Sequence, residues 1–371
     1  MRRIVNQFRR TYKFPFQNEI PSTLAVYIKE NNFLSSFFKF FKRYLYIFFQ
    51  SQSKLELQKI EDYHKKILWI NISAPSLGDS LMDLSSRVLL KGKKIDLLSS
   101  YKNSNLFLND EYFDQVYSDK TKKIKNVYDL IIIDSYSTRS IKLKVKHFPD
   151  NLYVCMFGYF NGPEVNRVLF SFSRMNYLLG KNISLLESKR VIKPSIGISD
   201  DDINKISKLN LPEKFIAIAI GGEWEYRTYK KWGNVLEHAM VNYSEVTLVL
   251  IGSENALNYA LEITKKINDP RVIDLVNKLS FKQTAEVIKR ARFLICCDGG
   301  LMHAANSVKT PIAVLFARLT SEMQLTSAIS SYSLFDEENV NNIKLEHVLK
   351  TFDQAFDAFY KRPQDKKISL L

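Results

Sequence analysis

The sequence predicts an α/β protein made of two successive domains, each built on a parallel β-sheet. Three observations indicate this fold class. The chain has 371 residues, more than a single hydrophobic core normally organises. Short β-rich apolar runs alternate with helical stretches in two separate series, as in βαβ units. Between the two series lies a polar segment from about Lys189 to Leu211, with a run of three aspartates, which is the expected linker.

The alternation also sets the expected elements and boundaries. In the first series we predict strands at 67–72, 94–99, 128–134 and 151–156, and a helix at 81–90. In the second we predict strands at 215–220, 246–252, 271–275, 292–298 and 311–316, and helices at 281–291 and 345–360. The resulting division is a basic N-terminal extension (1–66), an N-terminal domain (67–190), a linker (191–212), a C-terminal domain (213–335) and a C-terminal helical segment (336–371).

The charge of the chain points to an acidic partner. The net charge is +15, and residues 1–66 hold 13 Lys and Arg against 5 Asp and Glu, which gives +8 in that segment. Nucleic acid, an anionic membrane and a phosphorylated glycan are all partners of this kind. No nucleic-acid-binding module is recognisable, so we expect no nucleic-acid partner.

The most apolar segment, residues 33–49, leaves two alternatives open. It is short for a membrane span, and Lys39, Lys42 and Arg43 interrupt it. It is either an interfacial helix on an anionic membrane or a helix that packs against the protein or against a second copy. The chain begins without a secretory signal pattern and has only three cysteines. We therefore expect a cytoplasmic protein, with peripheral attachment to the inner face of the cytoplasmic membrane as the first of the two alternatives.

Polar residues follow the predicted strands of both domains. In an open parallel sheet, ligands bind beyond the carboxyl ends of the strands. In the first domain these positions hold Asp79 and Arg139. In the second domain they hold ten candidates: Gly221, Gly222, Arg227, Lys230, Lys231, Glu254, Asp298, Gly299, Gly300 and His303. We therefore expect a ligand cleft between the two domains.

The segment from Asp298 to His303 has the pattern of a diphosphate site. Gly299 and Gly300 permit a tight turn and close backbone approach. A helix expected to begin near Leu301 would direct its free N–H groups and positive dipole end at the ligand. The alternative is an ordinary strand–turn–helix in which Asp298 caps the helix and His303 is packed.

Each of the other candidates also has two interpretations. Arg227, Lys230 and Lys231 could neutralise a diphosphate, or could form a solvated basic loop. Glu254 could accept hydrogen bonds from a ribose, or could be an ordinary acidic residue of a first helical turn. Asp79 could act as a general base, with Asp83 as the fallback, or could be an N-cap.

Several other chemistries find no support in the sequence. The Walker A motif of P-loop nucleotide-binding proteins and the zinc-protease, serine-hydrolase and dinucleotide-binding motifs are absent. The five histidines are scattered, and the carboxylates form no paired cluster of the kind that holds magnesium. We therefore expect no metal and no cofactor.

Taken together, these segments resemble glycosyltransferase family nine, the ADP-heptose:lipopolysaccharide heptosyltransferases. The strongest likeness lies in IKRARFLICCDGGLMHAANSVKTPIAVLF (288–316), and ILWINISAPSLGDSLMDLSSRVLL (67–90) is similar to the family's first strand, loop and helix. YDLIIIDSYSTRS (128–140) and VTLVLIGSEN (246–255) resemble two further family segments. The segments occur in the family's order over about residues 67–335.

The resemblance implies the GT-B fold and an inverting, metal-independent transfer from a nucleotide sugar such as ADP-heptose to a lipopolysaccharide core or related acidic glycan. It implies Asp79 as the general base and Arg139 facing the acceptor. Within the C-terminal domain it implies contacts to the donor phosphates from Lys230 or Lys231, to the ribose from Glu254, and to the diphosphate and sugar from the segment Asp298–His303.

The chain departs from the family pattern at several positions. Gly299 stands where Ser or Thr usually follows the Asp, and Phe316-Ala317 stands where Phe-Gly is usual. The loop 221–232 is longer than usual, and residues 1–66 have no recognised counterpart. An alternative function is a catalytically silent relative that binds a nucleotide or glycan as a partner protein. A homo-oligomer is a further candidate assembly.

Overall fold

A computed structural model of the chain describes residues 21–23, 33–121, 124–159, 165–181, 184 and 192–361. Most of the first half of the predicted N-terminal extension, residues 185–191 before and at the start of the predicted linker, and the last ten residues lie outside this range. The chain divides into two compact units. The first ends at Gly197 and also includes Glu322–Ala328, and the second comprises Ile198–Ser321 and resumes at Ile329.

The first unit is built on a five-stranded sheet with the order β3-β2-β1-β4-β5, in which every neighbouring pair is parallel. Four of its strands coincide with predicted runs. Strand β3 was not predicted, because its residues QVYS are at most partly buried and give no apolar signal. The strands are β1 (Lys66–Asn71), β2 (Lys94–Ser99), β3 (Gln115–Ser118), β4 (Leu130–Ile133) and β5 (Tyr153–Cys155).

The named helices among the described residues of the first unit are α1 (Phe33–Phe49), α2 (Leu77–Asp83), α3 (Tyr101–Ser104), α4 (Thr138–His147) and α5 (Arg167–Leu178). The single helix predicted at 81–90 is wrong in detail. Helix α2 ends at Asp83, and residues Ser85–Leu90 form a 3₁₀ segment instead. The three-residue periodicity of a 3₁₀ segment is close enough to the α-helical one to give the same apolar pattern.

The described part of the N-terminal segment is integrated into this unit. Phe40 and Ile47 of α1 are buried in the same apolar cluster as the strands β1, β4 and β5. Farther along, the backbone of Leu55 and Leu57 forms hydrogen bonds with Tyr153 at the outer edge of β5. The helix is therefore fixed to the sheet through packing and through the strand-like segment that follows it. No helix among the described residues is long and apolar enough to cross a membrane.

The second unit is built on a six-stranded parallel sheet with the order β11-β10-β9-β6-β7-β8. Five strands coincide with predicted runs. Strand β11, at one edge of the sheet, was not predicted, because its side chains alternate between exposed and partly buried and no continuous apolar run marks it. The strands are β6 (Ile216–Ala219), β7 (Leu248–Ile251), β8 (Val272–Asp274), β9 (Leu294–Cys297), β10 (Ile312–Ala317) and β11 (Ser331–Asp336).

The helices described in the second unit are α6 (Asp200–Ser207), α7 (Trp232–Asn242), α8 (Leu257–Ile267), α9 (Phe281–Arg290), α10 (Gly300–Val308) and α12 (Leu345–Ala355). The short helix α11 (Ser321–Gln324) begins at the last residue before the chain returns to the first unit. Two expectations need correction. The aspartate run of the predicted linker is the first turn of α6, which Ser199 caps, and acidic residues are favourable there because of the helix dipole. The predicted helix 345–360 is α12 followed by a π-helical turn, Phe356–Tyr360.

A buried ion pair ties the loops of the first unit together. The Arg87 guanidinium, which is fully buried, donates to both carboxylate oxygens of Asp110 at 3.1 and 2.6 Å. It also donates to the carbonyls of Leu84 and Ser195 at 3.0 and 2.9 Å, and it lies over the ring of Phe107. Nearly all of its donors are therefore satisfied, which is the condition under which a buried charge is tolerated.

We expect Asp110→Ala to lower the free energy of unfolding by about 3–5 kcal/mol, because it leaves a buried guanidinium without a counterion. Urea unfolding followed by circular dichroism measures the loss. The double variant Arg87→Met with Asp110→Leu removes both charges and should be the more stable of the two. Equal stability of the single and double variants would contradict this role for the pair.

Candidate functional site

The loop after β1 positions Asp79 in the first unit. Ser76 is the N-cap of α2, and its Oγ accepts a hydrogen bond from the backbone N–H of Asp79 at 3.2 Å. The hydroxyl of Ser76 donates in turn to Asp79 Oδ2 at 2.6 Å. The interpretation of Asp79 as the N-cap is therefore wrong, since Ser76 has that role. The Asp79 side chain is partly exposed and held in place by a hydroxyl donor.

Asp83, the fallback base, lies deeper in the same unit. Its Oδ1 pairs with the Arg167 guanidinium at 2.5–2.6 Å, and its Oδ2 accepts from Asn71 at 3.3 Å. Burial raises the pKa of Asp83 to about 6, although Arg167 opposes the shift. Burial also acts against the charge of Arg167, but the carboxylates of Asp83 and Asp79 outweigh it and hold the pKa of Arg167 above its usual value. Arg167 therefore compensates the buried charge of Asp83.

A residue that the sequence did not single out, Asp134, connects two loops at the same edge. It follows β4, and its Oδ2 accepts from the backbone N–H groups of Ile72 and Ser73, at 3.0 and 2.7 Å, in the loop after β1. Its Oδ1 accepts from Ser135 and Ser140. Burial nevertheless raises its pKa. An aspartate directly after a buried strand was the available signal for this role.

Three hydroxyls lie beside Asp134. The Oγ atoms of Ser73, Ser137 and Ser140 are within 2.6–3.0 Å of one another. Ser137 is also the N-cap of α4. Arg139, the predicted acceptor-facing residue, is the second residue of this helix and is exposed. It has no ion-pair partner among the described residues.

In the second unit, the segment after β9 has the predicted strand–turn–helix form. Helix α10 begins at Gly300, within one residue of the predicted start, and its N-cap is Gly299, with no side-chain cap. The interpretation of Asp298 as the cap is therefore wrong. Gly299 has extended backbone, and a Cβ placed on it would meet no atom within 4 Å. His303 is 4% exposed in the first turns of α10.

Asp298 is paired with a candidate from another loop. Its buried Oδ2 lies 3.3 Å from Arg227 Nη1, and Arg227 ends a 3₁₀ turn, Glu225–Arg227, in the loop after β6. The structure thus brings together two predicted residues that are 71 positions apart in the sequence (298 minus 227). The charge of Arg227 compensates a carboxylate that would otherwise repel an anionic ligand at the start of α10.

Arg318 and Tyr226 extend this arrangement and were not predicted. The Arg318 guanidinium lies 3.8 Å from the centre of the Tyr226 ring, and that of Arg227 lies 5.2 Å from it. Arg318 directly follows β10, is exposed, and has a left-handed backbone with φ of 68°. It has no ion-pair partner in the part of the chain that the structure describes. No sequence pattern marks an arginine at such a position.

The glycine pair after β6 has a packing role. A Cβ on Gly222 would lie 2.8 Å from the Arg227 carbonyl oxygen and 2.4 Å from Thr228 Oγ1. A Cβ on Gly221 would lie 2.8 Å from Ala256 Cβ in the loop after β7. Both glycines therefore allow the loop 221–232 to fold back closely on itself and on its neighbour, which helps to set the position of Arg227.

The remaining candidates lie at the surface. Lys230 pairs with Glu225 at 2.9 Å in a fully exposed ion pair, which contributes little free energy. Lys231 is exposed at the N-cap of α7, and Glu254 is exposed at the start of a 3₁₀ turn after β7. Among the described residues, no three His, Cys, Asp or Glu side chains are grouped so that they could hold a metal ion.

Comparison with known proteins gives a family match for part of the chain and a shared fold. Residues 173–348 match the model of glycosyltransferase family 9 (heptosyltransferase). A family 9 glycosyl transferase from Veillonella parvula superimposes with a TM-score of 0.67 at 14% identity, over 81% of this chain and 100% of that one. The E. coli ADP-heptose lps heptosyltransferase II superimposes with a TM-score of 0.60 at 14% identity, over 79% of this chain and 99% of that one.

The E. coli heptosyltransferase WaaC with ADP gives a TM-score of 0.57 at 13% identity, over 78% of this chain and 99% of that one. Among curated proteins the sequence finds no match. The structural likenesses show the fold, which is the GT-B architecture of two parallel-sheet α/β domains. The family match covers 176 of the 371 residues of the chain (348 minus 173, plus one). Residues 173–348 therefore match glycosyltransferase family 9 (heptosyltransferase), and the chain has the GT-B fold.

Proposed function

We propose that the protein is an inverting glycosyltransferase that transfers heptose, or another sugar, from an ADP-linked donor to a lipopolysaccharide core or related acidic glycan. The observation that carries the proposal is the start of α10 after β9, where Gly299 leaves room for a diphosphate and Arg227 compensates Asp298. The similarity to heptosyltransferases, one of them solved with ADP, supports an ADP-linked donor.

The donor diphosphate is assigned to the backbone N–H groups of the first turn of α10. These groups have no helical partner, and the dipole of a nine-residue helix favours an anion at this end. Gly299 lacks the hydroxyl usual in the family, and Arg318 offers a guanidinium in its place. Because the charge of Arg227 is already matched by Asp298, the additional positive charge comes from Arg318 and from Lys231 or Lys230.

These cations and the helix dipole are proposed to stabilise the leaving diphosphate without a divalent metal ion. Lys230 can exchange its weak surface contact with Glu225 for a phosphate oxygen. Glu254 is proposed to accept hydrogen bonds from the ribose hydroxyls, since its carboxylate is exposed and has no described partner. His303, at the start of α10, is assigned to the sugar-phosphate end of the donor.

Asp79 is proposed as the general base on the acceptor hydroxyl, with Arg139 contacting an acidic acceptor. In an inverting displacement, the hydroxyl loses its proton as the new bond to the anomeric carbon forms. Asp79 is partly exposed and oriented by Ser76, so it can reach a substrate. Asp83 is buried, with both oxygens engaged by Arg167 and Asn71, so it suits an anchoring role better.

We expect Asp79→Asn to lower the rate of transfer by about 10²–10⁴-fold with little change in donor affinity, because a positioned base contributes that much to such a step. Ser76 still caps α2 in this variant, so the fold should be retained. Steady-state transfer to a glycan acceptor and ADP binding are the two measurements. Near-normal turnover of Asp79→Asn would show that the base lies elsewhere.

We expect Asp83→Asn, in contrast, to retain most of the transfer activity and to change the pH dependence of stability. The carboxyl of Asp83 binds its proton more tightly in the folded protein, with a pKa of about 6, than at its ordinary value of 3.8. Its contribution to stability is therefore full below about pH 4 and is lost as the pH rises to about 6.

Urea unfolding midpoints of the wild type and Asp83→Asn, measured between about pH 4 and pH 7, test this. The wild type should lose stability relative to the variant up to about pH 6, and the difference should then level off. A difference that does not vary with pH would contradict the assignment.

We expect Gly299→Ala to weaken ADP binding by about tenfold or more, equivalent to roughly 1.4 kcal/mol. The free protein has space for the added Cβ and an extended backbone that alanine adopts readily, so its thermal midpoint should not change. Calorimetric titration with ADP, and with adenosine as a ligand that lacks phosphates, separates the effects. Unchanged ADP affinity would place the diphosphate elsewhere.

A further inference from the structure

Helix α1 exposes a continuous aromatic face. Five aromatic side chains project from it into solvent, with exposed fractions of 38–73%. We call this set the aromatic face: Phe38, Phe41, Tyr44, Phe48 and Phe49. Their spacing of three, three, four and one residues places them along one side of a helix. Large contiguous exposed apolar surfaces are unusual on soluble proteins and mark sites of interaction.

The opposite side of the helix is fixed to the first unit. Phe40 and Ile47 are 3% and 5% exposed and belong to the core cluster around β1, β4 and β5. The Phe40 ring packs edge to face against Tyr159, with centroids 5.6 Å apart. The aromatic face is thus presented by a helix whose other side already has its packing partner.

The charge of the helix favours an anionic partner. Residues 33–49 contain Lys39, Lys42 and Arg43 and no acidic residue. Lys39 and Lys42 are exposed beside the aromatic face, and Arg43 lies over the ring of Phe40. Aromatic residues that bury in the headgroup region, flanked by lysines that reach anionic headgroups, are the composition of a helix lying in a membrane interface.

We propose that the aromatic face docks the protein on the surface of an anionic lipid bilayer. A second copy of the chain fits less well, because a symmetric contact between two α1 helices would bring their like charges together. A membrane span is not available to a 17-residue helix that carries three cations. The packing alternative left open by the sequence describes the buried side of the helix, and the proposal assigns the membrane alternative to the aromatic face.

The position of α1 also orients the docked protein. Tyr159 and Tyr136, which contact each other, follow β5 and β4 at the carboxyl edge of the first sheet. Because Phe40 packs on Tyr159, the aromatic face lies near that edge. Docking therefore brings the loops after β4 and β5 close to the membrane surface.

The test is co-sedimentation of the full chain with vesicles of phosphatidylcholine alone or mixed with phosphatidylglycerol, without any substrate. The wild type should bind the anionic vesicles more strongly. Two double variants should weaken this binding: Phe41→Ser with Phe48→Ser, and Lys39→Gln with Lys42→Gln. The lysine variant should bind about twenty-five-fold more weakly, because each cation near the surface contributes roughly a fivefold effect. All four side chains are exposed, so unchanged circular dichroism and thermal midpoints are expected.

Matched controls come from the second unit. Lys265→Gln with Lys350→Gln removes the same charge from exposed positions, and Val241→Ser with Leu261→Ser removes exposed apolar groups. Both controls should bind anionic vesicles like the wild type. Equal losses in the control and α1 variants would overturn the proposal, as would absence of wild-type binding. A wild-type dimer that Phe41→Ser with Phe48→Ser converts to monomer, without a change in vesicle binding, would assign the face to a second copy instead.

Discussion

Buried carboxylates at the carboxyl ends of parallel strands are the constraint on which both candidate sites depend. A carboxylate in this position is costly unless it is paired or accepts hydrogen bonds. Asp134 accepts from two backbone N–H groups of the neighbouring loop, and Asp298 pairs with Arg227. Each contact fixes the relation between two loops that are distant in the sequence. The compensation of charge and the placement of functional groups thus have the same origin.

The two units use this constraint differently. In the first, Asp134 and the Asp83–Arg167 pair are internal supports, and Asp79 is left partly exposed in the first turn of α2. In the second, Arg227 compensates the charge of Asp298 beside the start of α10, where we propose that the anionic ligand binds, and the guanidinium of Arg318 has no ion-pair partner among the described residues. A base needs access to its substrate, whereas a diphosphate site needs an excess of positive charge after internal pairs are counted.

Much of the fold could be predicted, because nine of the eleven described strands are apolar runs bounded by polar loops. The two others, β3 and β11, are edge strands with partly exposed side chains, so their pairing depends on tertiary contacts that no local pattern reveals. The loop positions of Asp79, Glu254 and Asp298 followed from the same runs. The ion-pair partners of Asp298 and Asp83 could not be predicted in this way. Arg227 comes close to Asp298, and Arg167 to Asp83, only when the units fold. Arg318 gave no signal, since its left-handed backbone is set by the connection after β10.

The central claim is that the site after β9 serves transfer and not only binding. The most direct measurement is the release of ADP from ADP-heptose, with and without a lipopolysaccharide core acceptor, with the product's anomeric configuration determined by NMR. The account predicts release that depends on the acceptor and a glycosidic bond of inverted configuration. Tight binding of ADP-heptose with no transfer to any glycan of a core panel would contradict it and would indicate a silent, ligand-binding relative.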